Sequence, residues 1–485
     1  MPLIKMPEPD KSVLNNKQEI ISALAKVLSK DSLISDAAQT LVYECDALSA
    51  YSCKPLAVIL PKTTKEVSDA LKVCAKLGVP VVPRGSGTSL AGGALPTADS
   101  VILGTARLNK FLEIDLENCF VKVQSGATNL SVTAAVEEEG FFYAPDPSSQ
   151  LACAIAGNIA MNSGGAHCLK YGVTTNNLMG YTMVLANGEI VEIGGNFLDA
   201  AGYDYLGLIC GSEGQLAIVT EATLKILPKP EGARPLLIGF DDAQIAGTCV
   251  YDIIKAGIIP VAIEFMDRLT IQETDKFSGA GYPKVEAMLI VEVEGSSDEI
   301  DFQLEKIIKI AKKLKPAAIR QSNSEEESAL IWKGRKSAFG AMGQIADYIC
   351  LDGTVPISEL AFVLKRIGEL SKKYGLAVAN VFHAGDGNMH PLILYNANKE
   401  GDLEIAEKLG ADILRTCVEV GGCLTGEHGV GIEKRDLFGE QYNEQDMQIQ
   451  MDIKDCFDVN WMLNPAKVFP LDKSESRRNR LSKGK

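Results

Sequence analysis

Residues 18–29 (KQEIISALAKVL) put Ile21, Leu24 and Leu28 on one stripe at helical spacing. The apolar run 56–60 stops at Pro61 and reads as a short buried strand. Thr63 and Glu66 have the spacing of a capping box, so a helix is expected to follow with Val67, Leu71 and Cys74 on one face and Gly78 at its end. The strand at 79–82 then runs straight into a glycine-rich loop. Beyond Pro228 and Pro230 the texture changes. From 236 the pattern reads strand (LLIGF), helix 243–256, strand (VAIEFMD), strand (VEAMLIVEVE) and helix 298–314. A second set starts near Tyr348 with a short strand, a helix at 357–374, strands at 376–382 and 391–395, and a helix at 402–420. Two βαββ-like sets predict an α+β fold with one large, mainly antiparallel sheet and helices on one of its faces. The expected organisation is an N-terminal helical segment (1–50), a first domain (51–230), a second domain (231–470) whose end returns to the first, and a basic tail (471–485).

Length supports more than one domain, because 485 residues exceed what a single core usually holds. The net charge of -15 argues against a general nucleic-acid role, which needs a basic surface. Residues 1–9 have no apolar signal core, and no run approaches the roughly 20 apolar residues of a membrane span. The expected location is therefore cytoplasmic, with peripheral association at the inner face of a membrane as the alternative. The 12 cysteines form no C-x-x-C pair, which argues against disulfides, a zinc finger or an iron–sulfur cluster in this chain. The tail carries Arg477, Arg478 and Arg480 with little apolar content and reads as disordered and solvated; docking to a partner or to anionic lipid is the competing reading.

Three glycine-rich segments carry the first chemistry. In Arg84-Gly85-Ser86-Gly87-Thr88-Ser89, small residues after a strand let backbone N–H groups converge on a phosphate. It is not a Rossmann fingerprint, because Leu90 stands where the third glycine belongs. The second segment runs from Pro145 and Ser149 through Gly157 and Asn158 to Ser163, Gly164, Gly165 and Ala166. It offers a small-residue surface for a large flat ligand. The third is Gly211-Ser212-Glu213-Gly214, followed by Val219. Elsewhere, three of the four histidines gather in two short motifs, His383-Ala384-Gly385-Asp386-Gly387-Asn388-Met389-His390 and Gly426-Glu427-His428-Gly429. A hairpin would bring His383 and His390 together. Neutral imidazoles with a carboxylate suit Zn²⁺, Fe²⁺ or Mn²⁺.

These segments, in this order, resemble the vanillyl-alcohol oxidase/PCMH-type FAD-linked oxidases. The strings YECDALSAY (43–51), YAPDPSSQLACAIAGN (143–158), NSGGAHCLKYGVTTNN (162–177), WKGRKSAF (332–339) and VFHAGDGNMHPLILY (381–395) resemble the flavin subunits of the glycolate oxidase type within it. The resemblance implies a PCMH-type FAD-binding domain at 51–230 and a substrate, or cap, domain at 231–470. It implies flavin contacts at Arg84, Gly85, Ser86, Gly87, Thr88, Ser89, Pro145, Ser149, Gly157, Asn158, Ser163, Gly164, Gly165, Ala166, Glu213 and Val219. His383, His390 and Glu427 would ligate a divalent metal, Asn388 would orient the substrate, and His428 would be the general base beside the flavin. Arg335 would clamp the substrate carboxylate, with Lys336 as a weaker candidate on a basic helical run. The implied cofactors are FAD, held non-covalently despite His167 in the GGxHCLKYG context, and that metal. The implied reaction is oxidation of glycolate, or a similar small D-2-hydroxy acid, by hydride transfer to flavin N5. The implied partners are a second flavin subunit and an iron–sulfur subunit. Two substrates, D-lactate and D-2-hydroxyglutarate, remain open, as do a flavin enolpyruvyl reductase and a non-catalytic flavin relay. Ala156, Ala346 and Ala466 depart from the family pattern.

Overall fold

The computed structural model describes residues 4–197 and 202–483, without side chains after Arg478. The chain divides into two compact units. One comprises Ile4–Gly164, Val173–Pro228 and the chain from Glu427 onward; the other comprises Gly165–Gly172 and Lys229–Gly426.

In the first unit a four-stranded sheet runs in the order Leu33–Ile34, Ala57–Ile59, Val101–Gly104, Val81–Arg84, and its last three strands are parallel. The helix Thr64–Leu77 begins as its sequence demands, with the Thr63 hydroxyl accepting the Glu66 N–H at 3.1 Å. The capping box is only half made. Glu66 turns its carboxylate to the N–H groups of Lys62 (2.7 Å) and Ser29 (3.1 Å), tying the helix to the N-terminal segment. A second, antiparallel sheet has the order Phe111–Asp115, Phe120–Gln124, Ile218–Lys225, Leu178–Val184, Ile190–Gly194. It packs Val121, Val123, Ala222 and Leu224 with Ile155 and Ile159 of the helix Ile155–Met161. The C-terminal stretch joins this unit: Val81 donates to Met462 O and accepts from Asn464 N, both at 2.8 Å.

The tail departs from expectation. Instead of a disordered segment, a helix spans Leu471–Lys483. Arg477 supplies the reason: it is buried, donating to Asp452 at 2.6 Å and to Asp455, while Lys473 pairs with Glu444 at 2.8 Å. Composition registers the charges but not their partners 20 to 30 residues upstream. The Arg480 side chain and residues 484–485 lie outside the described residues.

The second unit is built on the expected antiparallel sheet, in the order Ala318–Gln321, Gly232–Phe240, Ala287–Gly295, Ala262–Asp267, Val378–His383, Asn388–Met389, Gly353–Thr354. Pro391–Tyr395 also pairs with Val378–His383 and carries Asp347–Cys350 at its other side. No helix was expected between the second and third strands of the first set. Arg268–Ser278 stands between two strands read as consecutive; Asp267 caps it by accepting the Thr270 N–H, and Gly279 closes it at φ +67°. Its sequence, RLTIQETDKFS, buries only Thr270, Ile271 and Thr274, too sparse a stripe to register as periodicity.

Candidate functional site

In the unit that carries the glycine motifs, all three converge. A Cβ on Gly85 would lie 3.3 Å from the Gly157 N and 3.4 Å from the Ala154 Cβ, so the first loop rests on the second segment. The third segment bonds to the same helix: Gly211 N donates to Ile159 O at 2.8 Å, and Glu213 N to Ala160 O at 2.7 Å. Val219 O accepts from Ser125 Oγ (2.7 Å), whose carbonyl takes the Ala156 N–H (2.6 Å). Among the described residues, none of the N–H groups of residues 86–90 donates to a backbone carbonyl. Backbone donors seldom stay unpaired unless water or a ligand takes them, so this loop fits an anionic pyrophosphate. Gly87, at φ +73°, lies under the Arg84 guanidinium, which donates to Cys45 O at 2.8 Å. Ser89 Oγ accepts from Gly93 N at 3.0 Å and pins the loop's exit. Ser86 is exposed and Thr88 half-buried.

Several expected flavin residues shape the cradle through the protein itself. Asn158 is buried, its amide bonded to Asn129 (3.1 Å) and to Cys153 Sγ (3.4 Å). Asn129 also donates to Pro145 O at 3.1 Å, and the Ser149 carbonyl takes the Ala152 and Cys153 N–H groups at 2.8 Å. The Ser163 carbonyl accepts from Thr174 N (3.0 Å) and Oγ1 (2.7 Å). Buried Glu213 accepts Val430 N–H at 2.6 Å and Gly431 N–H at 2.8 Å, and burial raises its carboxyl pKa against those two bonds. Glu427 accepts the Gly164 N–H at 3.0 Å. His428 is therefore flanked by two attachments to the glycine-rich segments, Glu427 on Gly164 and Val430–Gly431 on Glu213. Asn129 carried no signal in the sequence.

In the large-sheet unit, Glu264 sits at 0% exposure with its two oxygens divided. Oε1 lies 2.7 Å from His383 Nδ1; Oε2 accepts Arg335 Nε at 2.7 Å and faces Arg335 Nη2 at 2.6 Å. Burial alone would raise its pKa, but the Arg335 guanidinium and the His383 imidazole outweigh it and hold the carboxyl at about 2. The His383 and His390 rings meet edge to face, centroids 5.1 Å apart. His390 Nδ1 faces Leu351 O at 3.2 Å. Asp352, fully buried, accepts the Gly426 N–H at 2.9 Å and the Thr425 hydroxyl. Asn388 is buried, lies against the Gly426 Cα, and leaves its Oδ1 without a hydrogen-bond partner.

The structure thus brings His383, His390, Asn388 and Arg335 into one unit and places Glu427 and His428 in the other. Arg335 points at Glu264, a residue the sequence reading missed, although a glutamate inside the apolar strand VAIEFMD was a visible signal. Lys336, the weaker candidate, is exposed, because the helix Glu325–Lys336 buries Ile331, Gly334 and Arg335, and one residue further lies about 100° around the helix. His167, with Gly165 and half-buried Ala166 just before it, stays within the large-sheet unit, its Nε2 3.2 Å from Glu292 and its ring 5.4 Å from Trp332.

Residues 55–194 match the family described as FAD binding domain, and residues 229–468 match FAD linked oxidases, C-terminal domain. The chain is 45% identical over 94% of its length to the glycolate oxidase subunit GlcD of Escherichia coli (strain K12), covering 92% of that protein. The chain belongs to the FAD-linked oxidases. Another relative, the D-lactate dehydrogenase of Anaerostipes hadrus, is 32% identical over 93% of this chain and 97% of its own. In fold, this FAD-linked oxidase is similar to p-cresol methylhydroxylase with substrate bound (TM-score 0.79, 18% identity, 96% of this chain and 98% of that one). The fold expected from sequence, a PCMH-type FAD-binding domain joined to an α+β oxidase domain, is the observed one.

Proposed function

We propose that this chain oxidises a small 2-hydroxy acid, with glycolate the first candidate and D-lactate or D-2-hydroxyglutarate the alternatives. The observation that carries the reading is the buried group of Glu264, Arg335, His383, His390 and Asn388 in the large-sheet unit. Buried ionisable groups are costly to desolvate, and such clusters concentrate at functional sites. The glycolate oxidase subunit and D-lactate dehydrogenase relatives support the substrate class.

Bound FAD supplies the hydride acceptor for the substrate C2. The chain's own residues do the rest. Arg335 is to hold the substrate carboxylate, a task for which a guanidinium fork is suited. The unpartnered Asn388 Oδ1 is to accept a hydrogen bond from substrate. His428 is to take the hydroxyl proton, since an imidazole ordinarily titrates near neutrality. His383 and His390 suit a divalent metal, because each Nδ1 already faces an oxygen and the other ring nitrogen remains the chemical choice for a ligand bond. Glu427, as the resemblance implies, is the carboxylate expected to join them. Such a metal would lower the pKa of a coordinated hydroxyl.

FAD is taken to be non-covalent, which the Glu292 and Trp332 contacts of His167 support. Electrons are to leave through partner chains, a second flavin subunit and an iron–sulfur subunit. The word subunit in the relative's name supports this. No helix among the described residues is long and apolar enough to cross a membrane; a cytoplasmic location, with membrane contact made through the complex, is part of the proposal.

Turnover with a dye acceptor against a panel of 2-hydroxy acids tests the reading. Glycolate or a D-2-hydroxy acid should give the highest kcat/KM, and Arg335→Met should raise KM at least tenfold. A chain that reduces the dye with none of them contradicts it.

A further inference from the structure

We propose that Glu264 is a positioning residue that sets the tautomer of His383 and the orientation of Arg335 together; the functional value of this arrangement rests on the oxidase reading above. The sheet register puts it there. Glu264 and His383 are direct cross-strand partners, so their side chains leave the sheet on the same face. Neighbouring Asp267 cannot substitute: its oxygens already accept Thr270 N, Thr270 Oγ1, Asn380 N and Asn380 Nδ2 at 2.7–3.0 Å.

A carboxylate can only accept. The nitrogen of His383 that faces Oε1 must therefore be Nδ1–H, and in the neutral ring Nε2 then carries the lone pair. On its other oxygen the same carboxylate accepts the Nε–H of Arg335 at 2.7 Å, with Nη2 in ion-pair contact at 2.6 Å, which holds the guanidinium against Glu264. Stability does not explain the glutamate. Its strand neighbours Ile263, Phe265 and Met266 are all buried apolar residues, and well-packed apolar side chains commonly replace a buried ion pair at no loss. An imidazole turned outward by a carboxylate behind it is how proteins present a histidine to a metal or a proton.

The test uses the FAD-loaded protein and its Glu264→Gln and Glu264→Asp variants. With only four histidines, the imidazole ¹⁵N spectrum is readable residue by residue. In the wild type, His383 should show a protonated Nδ1 and an unprotonated Nε2. In Glu264→Gln the amide oxygen is drawn to Arg335 and the NH₂ faces His383, so the proton should move to Nε2. Turnover should fall 10- to 100-fold, the range typical for partners behind a ligand, with KM rising as Arg335 loosens. Glu264→Asp should recover part of both. If Glu264→Gln does not retain FAD, the double variant Glu264→Gln/Arg335→Gln, which buries no lone charge, is read for the His383 tautomer alone. An unchanged tautomer in the folded variant overturns the proposal, and so does unchanged kinetics beside a shifted tautomer. A wild type inert to every 2-hydroxy acid would sink the oxidase reading, while the tautomer shift would still decide whether Glu264 governs His383.

Discussion

Glu264 shows how much of a site can hang on a single side chain. Its carboxyl is moved from an ordinary 4.5 to about 2, with burial opposed and exceeded by Arg335 and His383. A depressed folded pKa stabilises the native state above the unfolded value, and that stability is lost as pH falls through the folded one. The gain should be on the order of 3 kcal/mol at neutral pH. In urea unfolding, the stability gap between the wild type and Glu264→Gln should narrow as pH drops from 4.5 towards 2; a constant gap would contradict the ionised state. Gly87 is a second such position. An alanine there must adopt φ +73° where the Arg84 guanidinium already sits, at a cost of roughly 1–2 kcal/mol from the backbone alone. Gly87→Ala should weaken FAD binding at least tenfold in a fluorescence titration of apoprotein while leaving a cooperative thermal transition.

At the scale of elements, the glycine motifs matter as joints. The segment Glu427–Gly431 is bolted at one end by the Gly164 N–H and at the other by Glu213. Glu213→Gln turns one acceptor into an NH₂ group facing a buried N–H, which costs about 1–3 kcal/mol. We expect a lower Tm and faster amide exchange at Val430 and Gly431, with the helix Ile155–Met161 unaffected. Much of this scale was legible in the sequence. Strong apolar stripes announced the helices Thr64–Leu77 and Ala243–Lys255 and the strands either side of His383. The helix Arg268–Ser278 was not legible, because its inward face is largely threonine. At the site, motif residues could be read from their spacing, but their partners could not. Asn158 is spent on Asn129, Glu213 on a motif more than 200 residues away, and Arg335 on Glu264, none of which local spacing encodes.

For the whole molecule, the same limit explains the tail. Its arginines read as solvated until Asp452 and Asp455 are seen beside Arg477. These acids are partly exposed, so the pairing is a modest contribution. Removing residues from 471 onward should lower Tm by a few degrees and leave substrate oxidation intact; a loss of FAD on truncation would mean that the helix does more than clasp the surface.

The central claim is that a 2-hydroxy acid delivers its hydride to FAD held by this chain. The most direct test is anaerobic addition of glycolate, D-lactate and D-2-hydroxyglutarate in turn to the purified holoprotein, following the ~450 nm flavin band. Bleaching by at least one of them, slowed in His428→Asn and Arg335→Met, is the predicted result. A band that stays oxidised with every acid, in protein shown to contain FAD, would contradict it.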